Sequence, residues 1–160
     1  MTLLRGGEYH PSVLIDEKVI RKTAARCRER GVVLPALAEL RDPEKIPAAI
    51  RKKLRGPGMD EVQASNLFRL GWKNDLKTGL FGPVNALELP PAVTGINAKV
   101  IGLVGKRFPT GSHKAGAAYG CLAPRLASGA FDLEINKAVW PSTGNYCRGG
   151  AFDCALLGCR

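Results

Sequence analysis

The sequence predicts an α/β fold, with parallel strands and covering helices in its second half and a helical segment ahead of them. Three observations predict it. Residues 98–105, Ala-Lys-Val-Ile-Gly-Leu-Val-Gly, form a short apolar run rich in β-branched residues, the pattern of a buried strand. Two turns share one construction: Phe108-Pro109-Thr110-Gly111-Ser112 and Trp140-Pro141-Ser142-Thr143-Gly144-Asn145 each follow an expected strand and open an expected helix. Their starts lie 32 residues apart, about the length of one βαβ unit.

The elements divide into three stretches: a basic helical segment over 1–58, an irregular connection over 59–97 and the α/β portion over 98–160. In the first, residues 12–30 read as an amphipathic helix capped by Ser12 or Asp16 and stopped by Gly31. A second helix starts from Asp42 as cap, with Pro43 at its first position, and runs to about Arg55, before Gly56-Pro57-Gly58 breaks the chain. Residues 60–70 have helical character, and the Gly and Pro residues from Gly79 to Gly95 make a wandering connection. Beyond the first turn, Ser112 is placed to cap a helix that begins at His113, is kinked by Pro124 and ends at Ser128-Gly129. Lys137 to Trp140 read as a second strand, parallel to the first through a right-handed crossover. The last helix begins near Asn145 and is expected to be still running at Arg160, leaving Phe152, Leu156 and Leu157 partly exposed.

Composition narrows the class. With 45% hydrophobic and 24% charged residues the chain has the balance of a soluble globular protein. It has no apolar run long enough for a transmembrane helix and no signal-peptide core at Met1 to Gly7, so a cytoplasmic location and no membrane partner are expected. Five cysteines without a Cys-x-x-Cys pair, and two histidines, assemble no zinc spacing, so no metal is expected and the thiols read as reduced and structural. The net charge of +10 is spread along the chain, and no aromatic residue interleaves the basic positions of 18–30 to stack on a base, so nucleic acid is disfavoured as a partner.

The two turns carry the chemistry. Parallel strands would put both at one edge of the sheet, where ligands bind in open α/β folds. A helix N-terminus offers free amides and partial positive charge to an anion, glycine permits close approach, and Ser and Thr hydroxyls add donors. Lys114 follows the first turn directly, where the helix field disfavours its cation and so favours the free amine that Schiff-base formation needs. Taken alone, a lysine at such a place reads as a surface charge or an anion ligand. No Walker loop, nucleophile elbow, dinucleotide fingerprint or convincing carboxylate pair accompanies it.

Pro109-Thr110-Gly111-Ser112-His113-Lys114 resembles the lysine motif of the fold type II pyridoxal-phosphate enzymes, the group of tryptophan synthase β chains and cysteine synthases, and Ser142-Thr143-Gly144-Asn145 resembles their second motif. The resemblance covers about residues 96–160, with a looser likeness at Asn66-Leu67-Phe68-Arg69. It implies a partial tryptophan synthase β-like fold and pyridoxal 5′-phosphate as cofactor. Lys114 is the implied catalytic Schiff-base residue, with His113 near the cofactor phosphate and Asn145 on the ring oxygen. Ser142, Thr143 and Gly144 are the implied carboxylate-binding residues for a small amino-acid substrate. The implied reaction is β-elimination or β-replacement on a serine- or cysteine-like substrate. Neither the family's phosphate loop nor its ring-nitrogen partner is found, so a truncated chain lacking the second domain is expected, compatible with a homodimer or a complementing chain. The alternative is a non-catalytic basic domain that binds anions or nucleic acid, or a structural remnant requiring a partner chain.

Overall fold

The computed structural model describes residues 16–159. The fold mixes helices with one small sheet. Helix α1 spans Glu17–Glu29, capped by Asp16, whose carboxylate accepts the amides of Lys18 and Val19. Ser12 and residues 12–15 of the expected helix lie outside the described residues. The α1 cations are largely occupied: Arg21 pairs with Glu17, Arg26 with Glu29, and Lys22 reaches both Asp132 and Glu134.

Short elements follow. Helix α2 is Leu37–Arg41, and Asp42 caps a 3-10 turn over Pro43–Lys45 before α3, Ala48–Lys53. The single helix expected from Pro43 to Arg55 is thus split. Pro47 is the reason: it holds Ile46 in an extended conformation (φ −66°, ψ 129°) and has no amide to continue the helix, so it becomes the cap of α3. The helical character of 60–70 is realised as a 3-10 segment, Ala64–Arg69.

The sheet differs most from expectation. It consists of β1, Ala86–Leu89, and β2, Val100–Leu103, paired antiparallel with Ala86 opposite Leu103. Helix α4, Pro91–Thr94, and Gly95 in the left-handed region (φ 70°) turn the chain between them. The strand expected over 98–105 therefore exists, but it is not buried: Ile101 and Leu103 are more than half exposed. Residues 137–140 form no strand, so the expected parallel pair is absent from the described residues. That stretch leaves the turn closed by Asp132 and Asn136, and its Trp140 packs on α6 (Asn145–Leu157) instead of entering a ladder.

The core lies between α5, Lys114–Ser128, and α6. α5 contributes Ala115, Tyr119, Leu122 and Leu126, and α6 contributes Phe152, Leu156 and Leu157. Cys27, Val32, Leu67 and Leu70 from the first half complete the same cluster. Each such fully buried large side chain contributes about 1.5–3 kcal/mol. A second cluster joins Ile46, Leu54 and Phe68. α5 begins at Lys114, one residue later than expected, and runs through Pro124 to Ser128, with Gly129 (φ 75°) as its left-handed cap. α6 ends at Leu157, where Gly158 (φ 74°) closes it, rather than running on to Arg160. The exposure expected at Phe152, Leu156 and Leu157 is overturned, since all three are buried.

Buried polar groups tie the 59–97 connection to this core. Arg69 is 1% exposed, and its guanidinium donates to the carbonyls of Leu54, Pro57 and Gly79 and to Asn66 Oδ1. The looser likeness at Asn66-Leu67-Phe68-Arg69 thus falls on four buried residues with packing and hydrogen-bonding work. No described helix is long and apolar enough to cross a membrane.

Candidate functional site

The first turn is built on buried anchors. Between β2 and α5 the chain makes two 3-10 turns, Gly105–Arg107 and Pro109–Gly111. Phe108 and Pro109 are buried beneath them, and the Asn74 amide reaches the Arg107 carbonyl at 2.9 Å. Phe108 meets Trp72 edge-on at 4.9 Å between ring centroids, and Trp72 stacks on His113 at 5.7 Å. Thr110 has φ 64°, a left-handed conformation disfavoured for a β-branched residue, and Gly111 follows at φ 72°. The Thr110 amide donates to the Asp60 carboxylate at 2.6 Å, which holds the turn, while its hydroxyl is buried with no partner.

His113 occupies the cap position of α5, yet its side chain makes no capping bond; Ser112 Oγ accepts the Lys114 amide at 3.3 Å. The expected capping role of Ser112 is therefore met from one residue further back. Lys114 and His113 are both exposed. His113 also lies close over Gly105, where a Cβ would come within 2.8 Å of its Nδ1.

The second turn is tightened by Ser142, whose amide donates to the Trp140 carbonyl at 2.8 Å and whose hydroxyl accepts the Gly144 amide at 3.2 Å. Gly144 precedes α6 without a side chain to cap it, and Asn145 is the first helical residue. Thr143, Gly144 and Asn145 are exposed and Ser142 is half-buried. Tyr146 sits against the Trp140 ring and its hydroxyl approaches Cys121 Sγ at 3.4 Å.

The two helix starts meet through glycine. A Cβ at Gly149 would stand 2.6 Å from the Ala115 nitrogen and 2.8 Å from the Lys114 carbonyl carbon, so α6 crosses α5 in backbone contact at Lys114-Ala115. Asn145 is one turn before Gly149 on the same face of α6. Tyr146, by contrast, touches Cys121, about 10 Å further along α5 from Lys114 at 1.5 Å per residue. Among the described residues no hydrogen bond or ion pair joins Lys114 or His113 to Ser142, Thr143, Gly144 or Asn145. Each start also faces its own cavity. One of about 810 Å³, largely apolar, is lined by Trp72, His113, Gly116 and Gly120, and another of about 580 Å³ by Cys121, Arg125, Lys137, Trp140 and Tyr146.

Three participants escaped the sequence reading. Asp60 and Trp72 support the first turn from the irregular stretch, where no motif marks them. Asp153 sits two turns after Asn145 on the same face of α6, fully buried with neither carboxylate oxygen hydrogen-bonded. Burial, with the charge of Cys154 beside it, pushes its carboxyl up to about 8. An acidic residue in a Gly-Gly-Ala-Phe-Asp run, one helical turn past Gly149, was the available signal. No family model, curated protein or solved structure matches the chain.

Proposed function

We propose that the chain is the lysine-bearing portion of a pyridoxal-phosphate enzyme that performs β-elimination or β-replacement on a small amino acid with a leaving group at Cβ. The observation that carries this reading is the backbone contact of Gly149 with Lys114-Ala115, which sets the start of α5 against the helix that begins at Asn145. The residues that would meet the group's aldehyde end are those at the start of α5. Lys114 is exposed, and the orphaned Thr110 hydroxyl and the left-handed turn around it lie four residues ahead of that lysine. Gly111, Gly120 and Gly144 have open space where a Cβ would be.

When bound, pyridoxal phosphate supplies a sink for the electron pair left at the substrate Cα. Lys114 would hold the cofactor and would move the proton at the substrate Cα. The Asn145 amide would hydrogen-bond the ring. Ser142, Thr143 and Gly144 receive the substrate carboxylate at the uncapped start of α6, where helix amides and partial positive charge favour an anion. His113, stacked on Trp72, carries the phosphate-side role. The finer fold reading, a tryptophan synthase β-like sheet of parallel strands, rests on the same motifs and requires strands other than the antiparallel pair β1 and β2.

The experiment is borohydride reduction of the chain with pyridoxal phosphate, followed by peptide mapping. Label on Lys114 within the peptide that begins at Phe108 supports the proposal. Equal label on Lys106, Lys114 and Lys137 overturns it, because indiscriminate reaction is what accessible lysines give.

A different observation favours anion binding elsewhere. Arg51, Lys52, Arg55 and Lys73 line an open cleft of about 680 Å³, with Asp42 and Glu44 at its edge. Oligonucleotide binding that falls steeply with salt and is lost in Arg51→Ala/Arg55→Ala would support this second reading.

A further inference from the structure

The C-terminal end of α6 carries two cysteines at positions fixed by its cap. Gly158 and Cys159 both direct their amides to the Cys154 carbonyl, the latter at 2.9 Å. The bond from Cys159 is the long link of a Schellman-type helix end, and it brings the fourth-last residue of α6 near the second residue beyond the helix. Those two residues are Cys154 and Cys159. The Trp140 indole N–H donates to Cys154 Sγ at 3.3 Å. Both cysteines are half-buried and free, and so have access to solvent. The Arg30 guanidinium lies against Gly158, so close that a Cβ there would overlap it. The carbonyl end of a helix opposes a thiolate, so the donors around Cys154 Sγ act against that field.

We propose that Cys154 and Cys159 form a reactive dithiol site that takes small-molecule disulfides and closes to an intramolecular disulfide. The Cys154 thiolate attacks one sulfur of a disulfide RSSR, forming a Cys154–SR mixed disulfide and releasing RS⁻. Cys159 then gives up its proton to solvent and attacks Cys154 Sγ, releasing the second RS⁻. Two protein thiols are oxidised and one RSSR is reduced to two thiols. The roles are unequal: Cys154 Sγ lies within the helix and accepts the Trp140 indole N–H, while Cys159 lies beyond the helix cap. The Cys159 thiol and the Trp140 indole together hold the Cys154 thiol below its ordinary range, and Cys159 is pushed up because its proton is held by Cys154. The site also touches the second turn, since Trp140 covers Gly150 and opens the Pro141-Ser142-Thr143-Gly144 run.

The test equilibrates the full chain with glutathione and its disulfide at graded ratios, quenches with an alkylating agent and digests with trypsin. Cleavage after Arg148 yields the peptide Gly149–Arg160, whose cysteines are Cys154 and Cys159. Expected is a peptide lighter by two hydrogens and not alkylated at oxidising ratios. Cys159→Ser should accumulate one glutathione on Cys154, with no resolution to a disulfide. Cys154→Ser should leave residue 159 unmodified. If the pair is only the apolar contact that accompanies such helix ends, Gly149–Arg160 stays doubly alkylated while exposed Cys121 takes up glutathione, and the proposal falls. It falls equally if glutathione remains on Cys154 of the unaltered chain without resolution by Cys159.

Discussion

Gly149 and Ala115 touch through their backbones, and that contact decides how closely α5 and α6 cross. A methyl group at Gly149 would meet the Ala115 nitrogen at 2.6 Å and its Cα at 2.7 Å, neither of which can rotate away. Gly149→Ala gains up to about 1 kcal/mol of helix propensity. Overpacking against fixed backbone costs about 1–3 kcal/mol, and so the variant is expected to be less stable by urea denaturation. Gly120→Ala is the control: nothing lies within 4 Å of its Cβ position, so propensity alone acts and the midpoint should rise.

Arg69 should be irreplaceable by a chain of similar length. Its guanidinium satisfies three carbonyls and Asn66 Oδ1 in a place almost without solvent. Arg69→Met leaves those acceptors buried and unpaired, each at about 1–3 kcal/mol where water cannot reach. A loss of at least about 3 kcal/mol is expected from urea titration. A loss under about 1 kcal/mol would show that water replaces the guanidinium freely.

Asp153 predicts a pH dependence. Its folded carboxyl titrates near 8, against an ordinary value of 3.8, so the folded state keeps a proton that the unfolded chain gives up. The sign follows: the contribution to stability is fully present below about pH 4 and is lost as pH rises through about 8. At about 1.36 kcal/mol per unit of pKa, several kcal/mol are at stake. Asp153→Asn cannot ionise. Its melting temperature should vary less between pH 4 and pH 8 than that of the unaltered chain, and at pH 8 it should lie higher. Parallel profiles for the two proteins would refute the assignment.

Sequence pattern and structure agree where local rules act alone. Asp16, Pro43, Gly129 and Asn145 mark helix ends because capping and left-handed φ are properties of a few adjacent residues. The two turns do open α5 and α6, as their residues require. The strands were not legible in the same way. Val100 to Leu103 has the composition of a buried parallel strand, yet its partner, Ala86–Leu89, lies in a Pro- and Gly-rich stretch with little β signal of its own. Lys137 to Trp140 has strand composition but no neighbour, because Trp140 is spent on covering Gly150. Within the candidate site, Lys114 and Asn145 were legible from motif. Asp60 and Trp72 were not, since their roles depend on contacts across 50 and 41 residues, with Thr110 and His113 respectively. Asp153 is marked by its run of small residues, but its complete burial shows only in the packed fold.

The last prediction separates stability from function at Thr110. A threonine at φ 64° costs about 1–3 kcal/mol, and its buried hydroxyl, without a partner, costs more. Thr110→Gly removes both penalties and keeps the amide that Asp60 accepts. Glycine adds roughly 0.5–1 kcal/mol of unfolded-state entropy, which is the smaller effect. The variant should therefore be more stable, by about 1 kcal/mol or somewhat more in urea, a gain of the size expected when strain at such a position is released. If the turn only shapes the entry to α5, nothing else changes. If it serves a ligand beside Lys114, the same substitution removes a hydroxyl whose hydrogen bond the chain itself leaves unmade. Borohydride trapping of pyridoxal phosphate on Lys114 should then fall at least several-fold while the fold grows more robust. A stabilised variant with undiminished trapping would leave Thr110 outside the site. A destabilised one would show that the left-handed residue is held by contacts stronger than its strain.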